Sequence, residues 1–499
     1  MKKKIIILLP KSDNENLVNN FCYKLSSTKF DLKIYKIIDN KINISINRLL
    51  IELILFLEKK LNKSAPLKLN KIKINYIDNF NMIFNGKNNF CDIFINLTEN
   101  KMTIKQRKLL KSVYLSTSCF NKNFFSSMGI GAVINNDDYT YFSSEIIKLD
   151  GSKCYSNSSM ATLNSLYLNK IELIQNSLSQ LLNIIENLNL KRFILDKNRN
   201  NIESKINYMK LAYFIFKKII NQLYKKKYTW SIYFKLNKSK NYLKNFNFKK
   251  IIKITNIPGK YLADPFLFKN NDRNYLFAEE YDIKSKVGCI VAYQLSLYSG
   301  TYIRLGKILS EKFHLSFPYI FRDKEKIYMI PETSENNDIR LYECIKFPYD
   351  WKLKKILIKN IKAVDTIVFK KNNFWWLITA TASGKSNQFN KFNVFYSYNG
   401  FLVNKWIEMK NSNSYPSAEK ARNGGFIKYK DSIFRVNQRS SFNNYGSKIQ
   451  INQIVNIDTN DYREKIKKNI SVKNLDVLNI RGIHHLSFND DFTAFDLKS

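Results

Sequence analysis

Histidine is almost missing from this 499-residue chain. It occurs three times, at His314, His484 and His485. Nothing before residue 314 can therefore do imidazole chemistry. Paired cysteines are missing too. The six Cys (22, 91, 119, 154, 289 and 344) are scattered and form no CxxC pair, which removes the usual zinc and dithiol motifs and fits reduced, buried thiols. No apolar run reaches the ~20 residues of a membrane-spanning helix. Lys2-Lys-Lys followed by Ile5-Ile-Ile-Leu-Leu is too short for a signal peptide and continues into Pro10-Lys-Ser-Asp, so it reads as a first strand. These absences lead to the expectation of a cytoplasmic protein without a transmembrane helix.

Acids are outnumbered: Lys and Arg total 82 against 41 Asp and Glu, a formal net charge of +41. Such an excess attracts polyanions. Arginine, the residue of bidentate phosphate and base recognition, is sparse, and the excess is mostly lysine. The lysine accompanies abundant Asn, Ile, Tyr and Phe, the residues AT-rich codons supply. The charge reads as compositional drift, with no specific nucleic-acid partner expected. A hydrophobic fraction of 44% and an aromatic fraction of 14% are ample for packed cores.

Residues 1–190 alternate apolar strand and helix patterns. Strands are expected at 5–9, 30–38, 91–97 and 113–118. Helices are expected at 15–25, 46–61, 103–111 and 158–187. This order implies an α/β domain on an open, largely parallel sheet. Residues 191–227 read as a helical connector. Its amphipathic stretch from 208 either packs between domains or lies on a membrane surface.

From residue 228 to 499 the composition turns to aromatic-rich β-structure, and one pattern recurs five times. Asp264-Pro-Phe-Leu-Phe, a polar turn, then Tyr275-Leu-Phe-Ala-Glu279 is the first copy. The others begin at Phe317, Asp365, Asn423 and His484 and close at Glu332, Ala380, Asn437 and Asp496. Each is a hairpin. Repeated hairpin units imply an all-β propeller, here five-bladed. The last copy is too short for a four-stranded blade, so strands from the start of the domain, such as Trp230-Ser-Ile-Tyr-Phe, must complete it and remove the open edge.

In a propeller the innermost strands surround one axis, so equivalent repeat positions converge. The candidate catalytic carboxylates are Asp264, Asp365 and Glu332. Glu279, Glu280, His314, Arg422, Asn423, Gln438, Arg439, His484 and His485 are candidate substrate-binding residues. Paired carboxylates around a wet funnel suit glycosyl chemistry, in which one acid protonates the leaving oxygen and a second stabilises or attacks the cationic centre. The alternative is a non-catalytic glycan-binding propeller. No cofactor and no metal motif is expected, although a hydrated Ca²⁺ in the funnel stays open.

The motifs Ala263-Asp-Pro-Phe-Leu-Phe, Tyr275-Leu-Phe-Ala-Glu-Glu-Tyr, His314-Leu-Ser-Phe-Pro, Tyr328-Met-Ile-Pro-Glu-Thr-Ser and Trp375-Trp occur in one order. Together they resemble the five-bladed domain at the N-terminus of plant glucosamine inositolphosphorylceramide transferase and of bacterial surface-glycan gene products. The resemblance implies a role in surface polysaccharide or glycolipid biosynthesis, with a carbohydrate, sugar-nucleotide or glycolipid substrate; a peripheral membrane contact stays open through the amphipathic stretch from 208. The fold is similar to the furanosidase glycoside hydrolases, whose catalysis draws two Asp and one Glu from different blades. Their first-blade Asp looks like Asp264, and their second-blade Asp position is Phe317 here. The first half resembles a degenerate formyltransferase-like domain by strand order and Cys91-Asp-Ile-Phe-Ile-Asn-Leu. That family uses an Asn, His and Asp constellation. Without a histidine in this half, formyl transfer is not expected.

Overall fold

The computed structural model describes residues 3–9, 15–26, 30–37, 46–61, 74–77, 91–98, 102–103, 106, 112–120, 129–187, 208–223, 228–237, 246–298, 300–382, 388–398, 400–402, 405–409, 418–442, 444–472 and 479–499. Two compact units divide near residue 223, the first ending at Leu223 and the second starting at Tyr224.

The apolar run near the N-terminus is strand β1 (Lys3–Leu9), and its last five residues are buried. It sits inside a seven-stranded sheet of order β3-β2-β1-β4-β5-β6-β7. Here β2 is Phe30–Ile37, β3 Asn75–Ile77, β4 Ile93–Asn96, β5 Val113–Thr117, β6 Tyr139–Ile147 and β7 Lys153–Ala161. The first five strands pair in parallel. The last two add antiparallel. Helices α1 (Glu15–Ser26) and α2 (Ile46–Leu61) make the crossovers that parallel pairing requires.

Contrary to the expectation of a helix from 158, residues 158–161 end β7; after the short α3 (Ile130–Asn135), helix α4 starts at Leu166 (Leu166–Asn187). Ser165 caps it, its Oγ accepting the Leu168 N–H at 3.2 Å. Glu58 of α2 accepts the Tyr167 N–H at 2.8 Å and the Ser165 hydroxyl at 2.7 Å. The β6–β7 hairpin escapes a hydrophobic-pattern reading because about half of its buried side chains are polar. Ser144, Ser156 and Ser158 are buried and bonded to Gln180 of α4. The expected helix at 103–111 lies mostly outside the described residues, as do 191–207 and 224–227. Helix α5 (Tyr208–Leu223) follows. Among the described residues no helix is long and apolar enough to cross a membrane.

The second unit is a five-bladed propeller. Four blades are consecutive four-stranded sheets, and the fifth has the order β26 (Leu486–Phe488), β27, β8 and β9 (Ile252–Lys253). In it β27 (Phe492–Lys498), the last strand of the chain, pairs antiparallel with β8 (Trp230–Leu236), the first strand of the unit, from Phe492↔Leu236 to Lys498↔Trp230. The ring is closed by this pairing, as the short fifth repeat requires. Hairpin strands such as β11 (Arg273–Asp282) are buried over most of their length, because stacked blades cover both faces. Trp376, Phe277 and Phe317 fill the space between them. Trp375 is likewise buried.

The innermost strand is interrupted at one equivalent place in four blades. The ladder shifts between Ala263 and Phe266 in β10 (Lys260–Asn270) and between Ser316 and Tyr319 in β14 (Ser316–Asp323). It shifts again between Val364 and Ile367 in β18 (Ala363–Lys371) and between Asn423 and Phe426 in β22 (Asn423–Tyr429). At these bulges Asp264, Phe317 and Asp365 take φ values of 51°, 45° and 54°. The left-handed conformation is uncommon for any side chain and a true outlier for Phe. A bulge re-aims its side chain out of the regular alternation, and such outliers concentrate at functional sites.

Candidate functional site

Each bulge presents the first residue of its repeat to its neighbours round the axis. Asp496 of β27 lies at the seam of the ring. Its Oδ1 accepts the N–H groups of His484 (3.1 Å) and His485 (2.9 Å), and its Oδ2 accepts that of Asp264 (3.0 Å). Asp264 passes the pattern on, its Oδ2 accepting the Phe317 N–H at 3.2 Å. Bulged backbone N–H groups that lost their ladder partners are thus satisfied by the carboxylate of the preceding blade.

His484 faces both acids. Its Nδ1 lies 2.7 Å from Asp496 Oδ2 and its Nε2 3.6 Å from Asp264 Oδ1. The imidazole stacks on Trp230 at 3.9 Å between ring centres and meets the edge of Tyr445. Burial opposes its charge, but Asp496 and then Asp264 outweigh that and raise its pKa. For Asp496 burial also works against ionisation, and the His484 contact and donated N–H groups still hold it below the usual carboxylate range. Asp264, Asp496 and His484 have ligand atoms within 4.8 Å of one another, and all three are buried. The residue types suit a cation, but both Asp496 oxygens already accept backbone donors, so the set fits an ion pair better than a metal.

Three further carboxyls are pushed the other way. Burial chiefly, then Asp496 and Asp365, raises Asp264 to about 7 against the pull of His484. Burial, followed by the Asp365 charge, raises Glu332 to about 7. Glu279 is raised well above its ordinary value by burial, then by Asp264 and Glu332. Acids from three blades and the seam therefore act on one another, and their environments separate protonated from ionised members.

Asp365 is held differently. The Arg422 guanidinium grips it through Nε and, at 3.1 Å, through Nη2, while Gln438 Nε2 donates at 2.9 Å. Arg422 also donates to the Tyr445 hydroxyl at 3.1 Å. Asn423 braces the same loop, donating to the Asp365 carbonyl at 2.6 Å and accepting from Arg435 at 3.1 Å. Arg439 lies outside this cluster, paired with Glu419 at 2.9 Å.

His314 Nδ1 accepts the Gly288 N–H at 2.9 Å, which leaves Nε2 as the protonated nitrogen, 3.7 Å from Glu279 Oε1. Glu280, next in the strand, points to the opposite face and pairs with Lys260 (2.9 Å) and Arg304 (2.8 Å). His485 is fully buried against Phe266 and Phe317, and neither of its nitrogens meets a partner among the described residues. Burial lowers it to about 3. It is a neutral plug beneath the acids.

The structure thus brings Asp264, Asp365, Glu332, Glu279, Arg422, Gln438 and His484 into one cluster and puts His314 beside it. It sets Glu280 and Arg439 apart in separate ion pairs. Sequence reasoning did not select Asp496, Trp230 or Tyr445. Asp496 stood in the aligned column and was legible there. Trp230 opens the strand that closes the ring and reaches the site through that closure, and Tyr445 comes from the fourth blade with no motif of its own.

Gly446 makes the Trp230–His484 stack fit. At φ 64° a Cβ would fall 2.7 Å from His484 Cβ and 2.9 Å from Trp230 Cη2. Gly446→Ala is expected to destabilise the propeller by about 1–3 kcal/mol through strain and overpacking. Chemical denaturation checks this, and an unchanged midpoint would mean the stack is not tightly held.

Residues 249–490 match the family model described as "Glucosamine inositolphosphorylceramide transferase 1, N-terminal". Curated relatives of that name share 34% identity over 213 residues in Arabidopsis thaliana and 32% over 212 in Oryza sativa subsp. japonica. These alignments cover 42% of this chain and 27% and 28% of the relatives, so the chain spans about a quarter of their length. Among solved structures, the catalytic domain of Coprinopsis cinerea GH62 α-L-arabinofuranosidase aligns at 10% identity and TM-score 0.35, over 47% of this chain and 90% of that one. The Clostridium thermocellum α-L-arabinofuranosidase CtGH43 aligns at 15% identity and TM-score 0.35, over 46% and 80%.

Proposed function

We propose that the propeller is a carbohydrate-active site that transfers or hydrolyses a glycosyl group during assembly of a glycolipid or surface polysaccharide. The observation that carries this reading is the split of carboxyl states in one cluster. Asp264, Glu279 and Glu332 are raised, and Asp496 is held low beside His484. Glu332, raised to about 7, is the group suited to protonate a leaving oxygen. Asp264 is the carboxylate suited to stabilise or activate at the opposite side, with Asp496 and His484 positioning it. Asp365, locked by Arg422 and Gln438, anchors those two side chains in the cluster. The relatives' name, "Glucosamine inositolphosphorylceramide transferase 1", supports a glycolipid substrate.

A second reading, glycan binding without turnover, is favoured by one observation. Phe317 occupies the bulge where another blade could present an acid, and it packs 5.0 Å from Phe266. The test is to incubate the full chain with aryl glycosides and with sugar-nucleotide donors plus glycolipid acceptors, and to follow product mass. Turnover in the wild type that vanishes in Glu332→Gln on unactivated substrates supports the enzyme. Saturable glycan binding without product in any pairing selects the second reading.

A further inference from the structure

Helix α2 is apolar on both sides, and only one side is packed. Ile51 and Leu55 face inward and are buried, and the carboxylate of Glu58 on that side is bonded to the start of α4. On the other side Leu50, Leu53, Phe56 and Leu57 are between 42% and 54% exposed. Leu50, Leu53 and Leu57 follow the i, i+3, i+7 spacing of one helical stripe, with Phe56 on its flank. A helix apolar all round normally lies in a core. Here four large side chains form an outward ridge, and such patches mark interaction surfaces.

The charge that follows the ridge in the sequence identifies the partner. Lys60 sits over the Phe56 ring at 4.7 Å, at the edge of the stripe. Lys59 and Lys60 end the helix, and the sequence that follows, to residue 73, adds Lys63, Lys68, Lys71 and Lys73 and no acid. A protein partner of matching shape needs no such run. A bilayer with anionic headgroups meets both features at once: apolar side chains enter the acyl boundary and lysines stay at the phosphates. At 16 residues α2 is about 24 Å long, too short to cross and suited to lie in the interface plane.

We propose that the outward face of α2 docks the protein on an anionic phospholipid surface. The inference stands apart from the proposed glycosyl chemistry, since it uses no funnel residue.

The test is co-sedimentation of the full chain with phosphatidylcholine vesicles, with and without phosphatidylserine. Binding is expected only with phosphatidylserine, weakening with salt. The double variant Leu53→Gln/Leu57→Gln is expected to reduce partitioning at least about tenfold. Its melting curve is expected to be unchanged, because neither side chain is packed inward. Equal binding of variant and wild type overturns the proposal, as does equal binding to neutral vesicles. So does a wild-type dimer that the variant converts to monomer without any vesicle binding, which would assign the ridge to a second copy of the chain.

Discussion

Asp264→Asn is expected to lower glycosyl turnover by roughly a hundred- to ten-thousand-fold while leaving the propeller folded, as loss of one acid–base group typically does. The substitution is conservative in the backbone, because Asn is among the residues that best tolerate the left-handed conformation Asp264 adopts at φ 51°. The Asn carbonyl oxygen can still accept the Phe317 N–H that Asp264 Oδ2 accepts now. What disappears is the ionisable carboxyl facing His484. In the wild type, Asp264 and Glu332 both titrate at about 7 and act on each other, so the pH–rate profile should be a bell near neutrality whose limbs belong to the cluster. Glu332→Gln should retain turnover of substrates with highly activated leaving groups, which need no acid, and lose the alkaline limb. Full activity of Asp264→Asn would exclude this carboxyl from the chemistry.

The same variant carries a stability signature with a defined sign. The folded pKa of Asp264 lies above the unfolded value of 3.8, so the native state keeps a proton that the unfolded chain releases. Its contribution is favourable at low pH and is lost as pH rises from about 4 through about 7. Asn has no such loss. The stability of Asp264→Asn relative to wild type should therefore grow across that window, with a ceiling of about 4 kcal/mol. The difference is the quantity to measure by denaturation at several pH values. His485, lowered to about 3, contributes the opposite slope between pH 3 and 6.5 and is common to both proteins. A site that destabilises the fold which carries it is the usual compromise of an active centre.

The propeller was legible because its determinants are local and repeated. Apolar hairpin strands, polar turns and an acid at a fixed offset can be aligned without knowing the fold, and the shortness of the fifth copy dictated closure by residues near Trp230. The convergence of Asp264, Glu332 and Asp365 followed from register alone. The β6–β7 hairpin was not legible, since Ser144, Ser156 and Ser158 are buried by virtue of Gln180, a residue of a later helix. Repeat position also could not separate Glu279 from Glu280. Adjacent residues share a place in the repeat, and only strand alternation and the partners Lys260 and Arg304 turn one away. Nor could it show that Arg422, an apparent anion-binding residue, already holds an anion of the protein itself.

That last pairing sets the largest stability effect. Arg422→Met is expected to cost about 3–5 kcal/mol, the usual result of leaving one member of a buried ion pair uncompensated. Asp365 is nearly inaccessible and depends on Arg422 for two of its hydrogen bonds, with Gln438 the one further side-chain donor among the described residues. Methionine keeps much of the volume beside Tyr445 and Phe389, so the loss would be electrostatic more than steric. The double variant Arg422→Met/Asp365→Asn removes both charges together and should recover a large part of the loss, because replacing a buried pair by neutral groups is often nearly neutral. The coupling energy from this cycle, read by denaturant unfolding, should be 2 kcal/mol or more in magnitude, within the roughly 0.5–3 kcal/mol seen for residues in contact. Additive single effects would mean that the two groups do not depend on each other.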